Sequence, residues 1–96
     1  MNMNAMLKQA QALQKKMMKE KDEIDAMTFE STSSFVHVEM NGKKELTKVK
    51  IDMESLDKED IEMLEDLIQV AVNDTIKKID KETESKMGKY TKGLPF

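Results

Sequence analysis

Asn41-Gly42 stands between two runs in which apolar and polar residues alternate, and no other feature constrains the chain as much. Alternation of period two marks half-buried strands, and Asn-Gly is the preferred centre of a type I′ turn because both central positions need φ > 0. The run before it, Phe35 to Met40, sets Val36, Val38 and Met40 on one face and Phe35, His37 and Glu39 on the other. The run after it, Lys43 to Asp52, reads as the return strand, with Thr47, Val49 and Ile51 sharing a face and Lys48 and Lys50 pointing away. A weaker alternation from Met27 to Thr32, closed by Ser33-Ser34 as a turn or break, adds a first strand. A three-stranded antiparallel sheet is expected.

Helical periodicity flanks it on both sides. Apolar or small residues recur at Met3, Met6, Ala10, Leu13, Met17, Ile24 and Met27, a 3-4 spacing broken only at Glu20, which predicts an amphipathic helix of about 24 residues. At 100° per residue, Lys8, Lys15 and Lys19 fall within roughly 40° of one another, opposite that seam. Asp22, Glu23 and Asp25 crowd the far end. A second helix follows Leu56, with Asp57 as N-cap and Glu59, Asp60 and Glu62 near the positive end of its dipole. Ile61, Leu64, Ile68, Val72, Thr75 and Ile79 lie within about 80°, flanked by Leu67, Ala71 and Ile76. Lys86-Met87-Gly88 supplies a basic last turn and a glycine stop, which leaves Lys89 to Phe96 as a loose tail.

The result is one α+β domain over residues 1–96 in which a helix of about 29 residues, on the order of 43 Å, outruns strands of about 17–20 Å. Overhanging apolar faces need a partner, and a symmetric homodimer supplies one, with Val49, Ile51, Leu64 and Ile68 as the expected interface. The core composition agrees: 10 Met, no Trp, 1 Tyr and 3 Phe leave few rigid anchors.

Charge and chemistry narrow the function. The net charge is −3 with every cation a lysine, but residues 54–80 hold three lysines against nine acids while both chain ends are slightly basic. An acidic total is a poor start for nucleic-acid binding, and the lack of Arg removes the usual bidentate reader of guanine. Any DNA contact is therefore expected to tolerate sequence. Without Cys there is no disulfide and no thiolate chemistry, which fits a reducing cytosol. No apolar run approaches the roughly 20 residues that span a bilayer, and the first residues lack a signal-peptide core; a cytoplasmic location with no membrane partner is expected. With one His, no nucleophile motif and no Gly-rich phosphate loop, the chain is expected to be no enzyme, with no cofactor, metal site or small-molecule substrate. His37 reads as a packing or surface residue, and Asp57 through Asp66 as a capped, solvated helix face rather than a cation loop.

The ordered motifs resemble the YbaB/EbfC family of bacterial nucleoid-associated proteins across nearly the whole chain. They are Met6-Leu7-Lys8-Gln9-Ala10-Gln11, Val36-His37-Val38-Glu39-Met40-Asn41-Gly42, Val49-Lys50-Ile51-Asp52, Glu62-Met63-Leu64-Glu65-Asp66-Leu67-Ile68 with Ala71-Val72-Asn73-Asp74, then Lys86-Met87-Gly88 before Gly93-Leu94-Pro95. Where family members commonly carry a glycine-rich stretch, this chain has Thr32-Ser33-Ser34-Phe35. The resemblance implies a tweezer-like homodimer that binds double-stranded DNA with loose sequence preference and no cofactor. It would sit in the nucleoid, affecting its organisation and gene expression, with replication or repair proteins as candidate partners. Carried over by motif, the DNA-binding residues are Lys8, Lys15, Lys16 and Lys19, then Lys86, Lys89 and Lys92. From the residues alone, the lysine stripe reads first as a solvated helix face, while the last three lysines equally answer a helix dipole. Two long amphipathic helices around a hairpin also suit a coiled-coil adaptor or prefoldin-like chaperone that binds protein partners.

Overall fold

In the computed structural model, which describes residues 2–91 (Thr91 by its backbone only), each periodicity becomes an element. The order is α1 (Met3–Asp25), β1 (Thr28–Ser33), β2 (Val36–Asn41), β3 (Leu46–Ile51), a 3₁₀ turn (Lys58–Asp60) and α2 (Ile61–Thr91). Asn2 starts α1 by accepting the Asn4 N–H on Oδ1 at 3.0 Å, the usual way an Asn N-cap satisfies an orphan donor. The strands form an antiparallel sheet in the order β1-β2-β3.

Register decides which residues are inside. Val36, Val38 and Met40 are buried on one face of β2, as the alternation predicts. Their partners Ser33, Ser31 and Phe29 share that face from β1, and Ile51, Val49 and Leu46 share it from β3. α2 packs against this face through buried Ala71, Thr75 and Ile79, with Leu64, Leu67, Ile68 and Val72 half-buried around Val36, Val38 and Ala71. Burying each Val or Ile there contributes about 1.5–3 kcal/mol. The polar residues inside are satisfied locally: Thr75 Oγ1 donates to the Ala71 carbonyl at 2.8 Å, and Ser31 Oγ donates to Asp74 Oδ2 at 2.9 Å. The predicted helix face is displaced at one end, since Ile61 is exposed where α2 begins beyond the sheet's cover.

Three local expectations are corrected. The turn between β2 and β3 is not type I′, because the left-handed residue is Lys44, at φ 66°, and not Asn41. Lys44 N–H donates to the Asn41 carbonyl at 3.0 Å, and Asn41 N–H to the Glu45 carbonyl at 3.1 Å. The Asn41 side chain holds the loop from inside, Oδ1 accepting the Lys43 and Glu45 N–H groups at 2.9 and 3.1 Å. Gly42 is required by crowding: its N–H donates to Asp25 O at 3.2 Å, and a Cβ on it would lie 1.9 Å from the Ile24 carbonyl oxygen. The return strand accordingly starts at Leu46, which faces Met40, and Thr47 is the extra residue of a bulge instead of a member of the Val49 face.

Phe35 is the second correction. It sits in the tight β1–β2 turn beside Ser34, whose φ is 52°, and packs on the core rather than on the outer face with His37. The third is the end of α2, which runs through Gly88 to Thr91, so residues 89–91 are helix and not tail. A helical glycine costs about 1 kcal/mol relative to alanine, too little to end a helix whose last turn is held to α1. Residues 92–96 lie outside the described residues. Asp57 starts the 3₁₀ turn that leads into α2, its N–H donating to Asp60 Oδ2 at 3.1 Å.

Candidate nucleic-acid interface

α1 and α2 meet only near the C-terminal end of α1. Ile24 is buried and Met17 half-buried, whereas residues 2–16 are exposed throughout, Leu13 at 56% among them. The first four turns of α1 therefore project as an arm from a molecule 71 Å long and 23 Å wide. Its apolar seam, predicted from Met3 to Met27, is covered at one end and open at Met3, Met6 and Leu13.

The arm also carries charge of one sign only. Residues 1–19 contain four lysines and no acid. All four, Lys8, Lys15, Lys16 and Lys19, are exposed, and none forms an ion pair among the described residues. Lys8, Lys15 and Lys19 keep the common stripe that the helical spacing predicts, spanning about 16 Å, while Lys16 is rotated about 100° from Lys15. Lys16 instead acts on Glu20, one turn on.

The lysines at the other end of the chain are placed differently. Lys86 Nζ lies 3.3 Å from Glu82 on the same helix. Lys89 Nζ reaches across to Glu20 Oε1 of α1 at 3.1 Å and lies 5.2 Å from the centre of the Tyr90 ring. Lys92 lies outside the described residues. Glu20, the one break in the apolar seam, is thus where α2 grips α1. The Lys89 ammonium holds its carboxyl below the usual carboxylate range, helped by the Tyr90 hydroxyl and Lys16 and opposed by burial. Glu20 in turn raises Lys89, and Tyr90 is raised first by burial and then by Glu20. Glu20 Oε2 and the Tyr90 hydroxyl are shielded from solvent without a hydrogen bond of good geometry, though close enough for one to act on the other.

The expected interface residues separate into two kinds. Val49 and Ile51 are exposed, at 44% and 38%, on the part of the inner sheet face that α2 leaves open. Leu64 and Ile68 are half-buried and serve the chain's own core. Leu46, on the same face by register, is exposed as well, as are Met53, Leu56, Ile61 and Met63 in the segment that follows β3 and at the start of α2.

On the outer sheet face, register brings together a group that sequence spacing alone does not reveal. Glu30 faces Glu39 across strands, and His37 Nε2 lies 3.2 Å from Glu39 Oε2 and 3.8 Å from Glu30 Oε2. Thr32 Oγ1 fixes the other ring nitrogen, Nδ1, at 2.8 Å. One His and two carboxylates could hold a divalent ion, but Lys48 already stands 3.9 Å from Glu39. Among the described residues no helix is long and apolar enough to cross a membrane.

An α+β body with a projecting, acid-free lysine arm defines a small protein with an exposed surface that suits a polyanion. The chain belongs to the YbaB/EbfC DNA-binding family, whose pattern it matches over residues 1–94. It is 44% identical to a nucleoid-associated protein of Ligilactobacillus salivarius, over 99% of this chain and 93% of that one. Against a nucleoid-associated protein of Lactococcus lactis the identity is 47% over 100% and 99% of the two chains, and against one of Oceanobacillus iheyensis 50% over 97% and 91%.

Proposed function

We propose that this DNA-binding nucleoid protein engages double-stranded DNA through its α1 arms, two to a homodimer, with little sequence preference. The observation that carries the reading is the acid-free arm bearing Lys8, Lys15, Lys16 and Lys19, every one exposed. A stripe of about 16 Å matches some five phosphates of one strand, spaced about 3.4 Å apart along the axis. Lysine ammonium groups neutralise phosphates as point charges and, without Arg, offer no bidentate match to base edges. Lys86, Lys89 and Lys92 belong to the proposed surface in second place, because Lys86 and Lys89 already answer carboxylates of their own chain. The acidic α2 start keeps DNA off the body by repulsion. Occupancy of the nucleoid, an effect on its organisation and gene expression, and recruitment by replication or repair proteins follow as parts of this reading.

The test is fluorescence anisotropy of a labelled 30-base-pair duplex across a salt series, repeated with an unrelated duplex. Six stripe lysines in a dimer predict a log–log salt slope of about −5, similar for both duplexes. Absence of binding at low salt would remove the reading. A protein-binding clamp is the second reading, favoured by the exposed Met3, Met6, Leu7, Leu13 and Met18 on the same arm. Salt-insensitive capture of an unfolded client would move it to first place.

A further inference from the structure

We infer that Glu20 is a positioning residue for DNA binding: by holding Lys89 of the last α2 turn, it fixes the direction in which the basic arm leaves the body. The inference rests on the arm carrying the DNA surface. It starts from a residue that is costly where it stands. The α1 seam calls for an apolar side chain at position 20, and a carboxylate there is 21% exposed with one oxygen shielded from solvent. Burying a charge is unfavourable unless it is paired.

What the carboxylate contributes is a non-local tie. Lys89 is 69 residues away in sequence and 3.1 Å away in space. N-terminal to Glu20, only Met17 is half-buried, so the tie is the last polar anchor before the arm runs free. Lys8 lies about 18 Å further along the helix, and a swing of about 10° at Glu20 would displace it by about 3 Å, close to one phosphate spacing. An arm free to swing spreads its lysines over many registers and loses the benefit of presenting both arms of a dimer at once.

Simple electrostatics predicts the opposite effect for the same residue. Glu20 is the first acid in the chain, adjacent to Lys19 and one turn from Lys16. Removing its charge, and freeing Lys89, should tighten DNA binding if charge alone matters. Positioning requires binding to weaken.

The experiment uses Glu20→Gln and the charge swap Glu20→Lys with Lys89→Glu. The chain has no cysteine, so spin labels at Gln9→Cys on the arm and Lys50→Cys on the sheet are unique. Doubly labelled chains diluted into unlabelled protein report the distance within one chain by double electron–electron resonance. The expected result is a broader distance distribution in Glu20→Gln, restored narrowness in the swap, and duplex affinity at least about fivefold weaker in Glu20→Gln despite the removal of a negative charge. An unchanged distribution overturns the inference, as does a broadened one with equal or tighter DNA binding. If the wild type binds no DNA, the DNA reading fails and the positioning role fails with it, while the distances still show whether Glu20 ties the arm.

Discussion

Gly42 shows how one residue can be required for a reason other than its φ. The end of α1 lies against the β2–β3 turn so closely that a methyl at position 42 meets backbone atoms of Ile24 and Asp25. Backbone cannot swing aside as a flexible side chain can, so Gly42→Ala should destabilise by about 2 kcal/mol or more, in the range of overpacked sites. Urea denaturation should give a lower midpoint at unchanged slope; a midpoint equal to wild type would mean that the end of α1 gives way to the methyl without cost. Ser34 carries the opposite prediction. A side chain at φ 52° pays a left-handed penalty of about 1–2 kcal/mol that glycine avoids. Part of that gain is offset by the freer unfolded chain, so Ser34→Gly should stabilise by about 0.5–1 kcal/mol, read as a raised melting temperature. The turn preference of Asn41-Gly42 is legible in the sequence. The need for glycine arises from α1, 18 residues earlier than the turn in the case of Ile24, and no local pattern carries that information.

At the scale of elements, periodicity is legible wherever one chain supplies both packing partners. The β2 alternation and the Ala71, Thr75, Ile79 line become core because each faces the other. The α1 seam is legible as a seam but not in its occupancy, since hydrophobic spacing does not say where a neighbouring helix stops. The same blindness makes Glu20 look like a flaw and Lys89 like tail, when each is the other's partner. The lysine stripe is readable in full because exposure on an isolated helix needs no tertiary information. On that stripe, Lys8→Gln, Lys15→Gln and Lys19→Gln should each reduce the salt slope of DNA binding by about 0.9 for every phosphate left without its ammonium, and Lys89→Gln by less. Reversal of all three stripe charges to Glu should abolish binding with the circular dichroism spectrum unchanged. If the triple variant binds normally, the arm is not the DNA surface. The α1–α2 tie also has a pH signature. Glu20 is held below its ordinary value, so its contribution is complete above that value and fades as pH falls through the lowered one. Lys89 is raised, so its share is complete below its ordinary value and vanishes only as pH rises through the higher one. The arm should therefore stay narrow in its distance distribution at neutral pH and broaden on acidification, with Tyr90, Lys16 and Lys89 the groups that face the titrating carboxyl.

For the whole molecule, the question is what covers the inner sheet face beyond α2. β3 is an edge strand, and its outward residues Lys48 and Lys50 are of the kind that discourages edge-to-edge pairing. Its inward residues Val49 and Ile51 have no such protection, and with Leu46 they leave an exposed apolar row that favours association. A face-to-face contact between two copies would cover both patches with one self-complementary interface, the economical arrangement under two-fold symmetry. Because Val49 and Ile51 are not buried in the chain's own core, Val49→Lys with Ile51→Lys should leave each subunit folded while opposing that contact with two desolvated charges per copy. Sedimentation equilibrium is expected to find the wild type dimeric and this variant monomeric at the same concentration. The same variant keeps every arm lysine, so a loss of more than tenfold in duplex affinity would measure the avidity of holding two arms in one particle. If it stays dimeric, another face joins the subunits. If it becomes monomeric but binds DNA as tightly, one arm suffices and the paired geometry serves some other end.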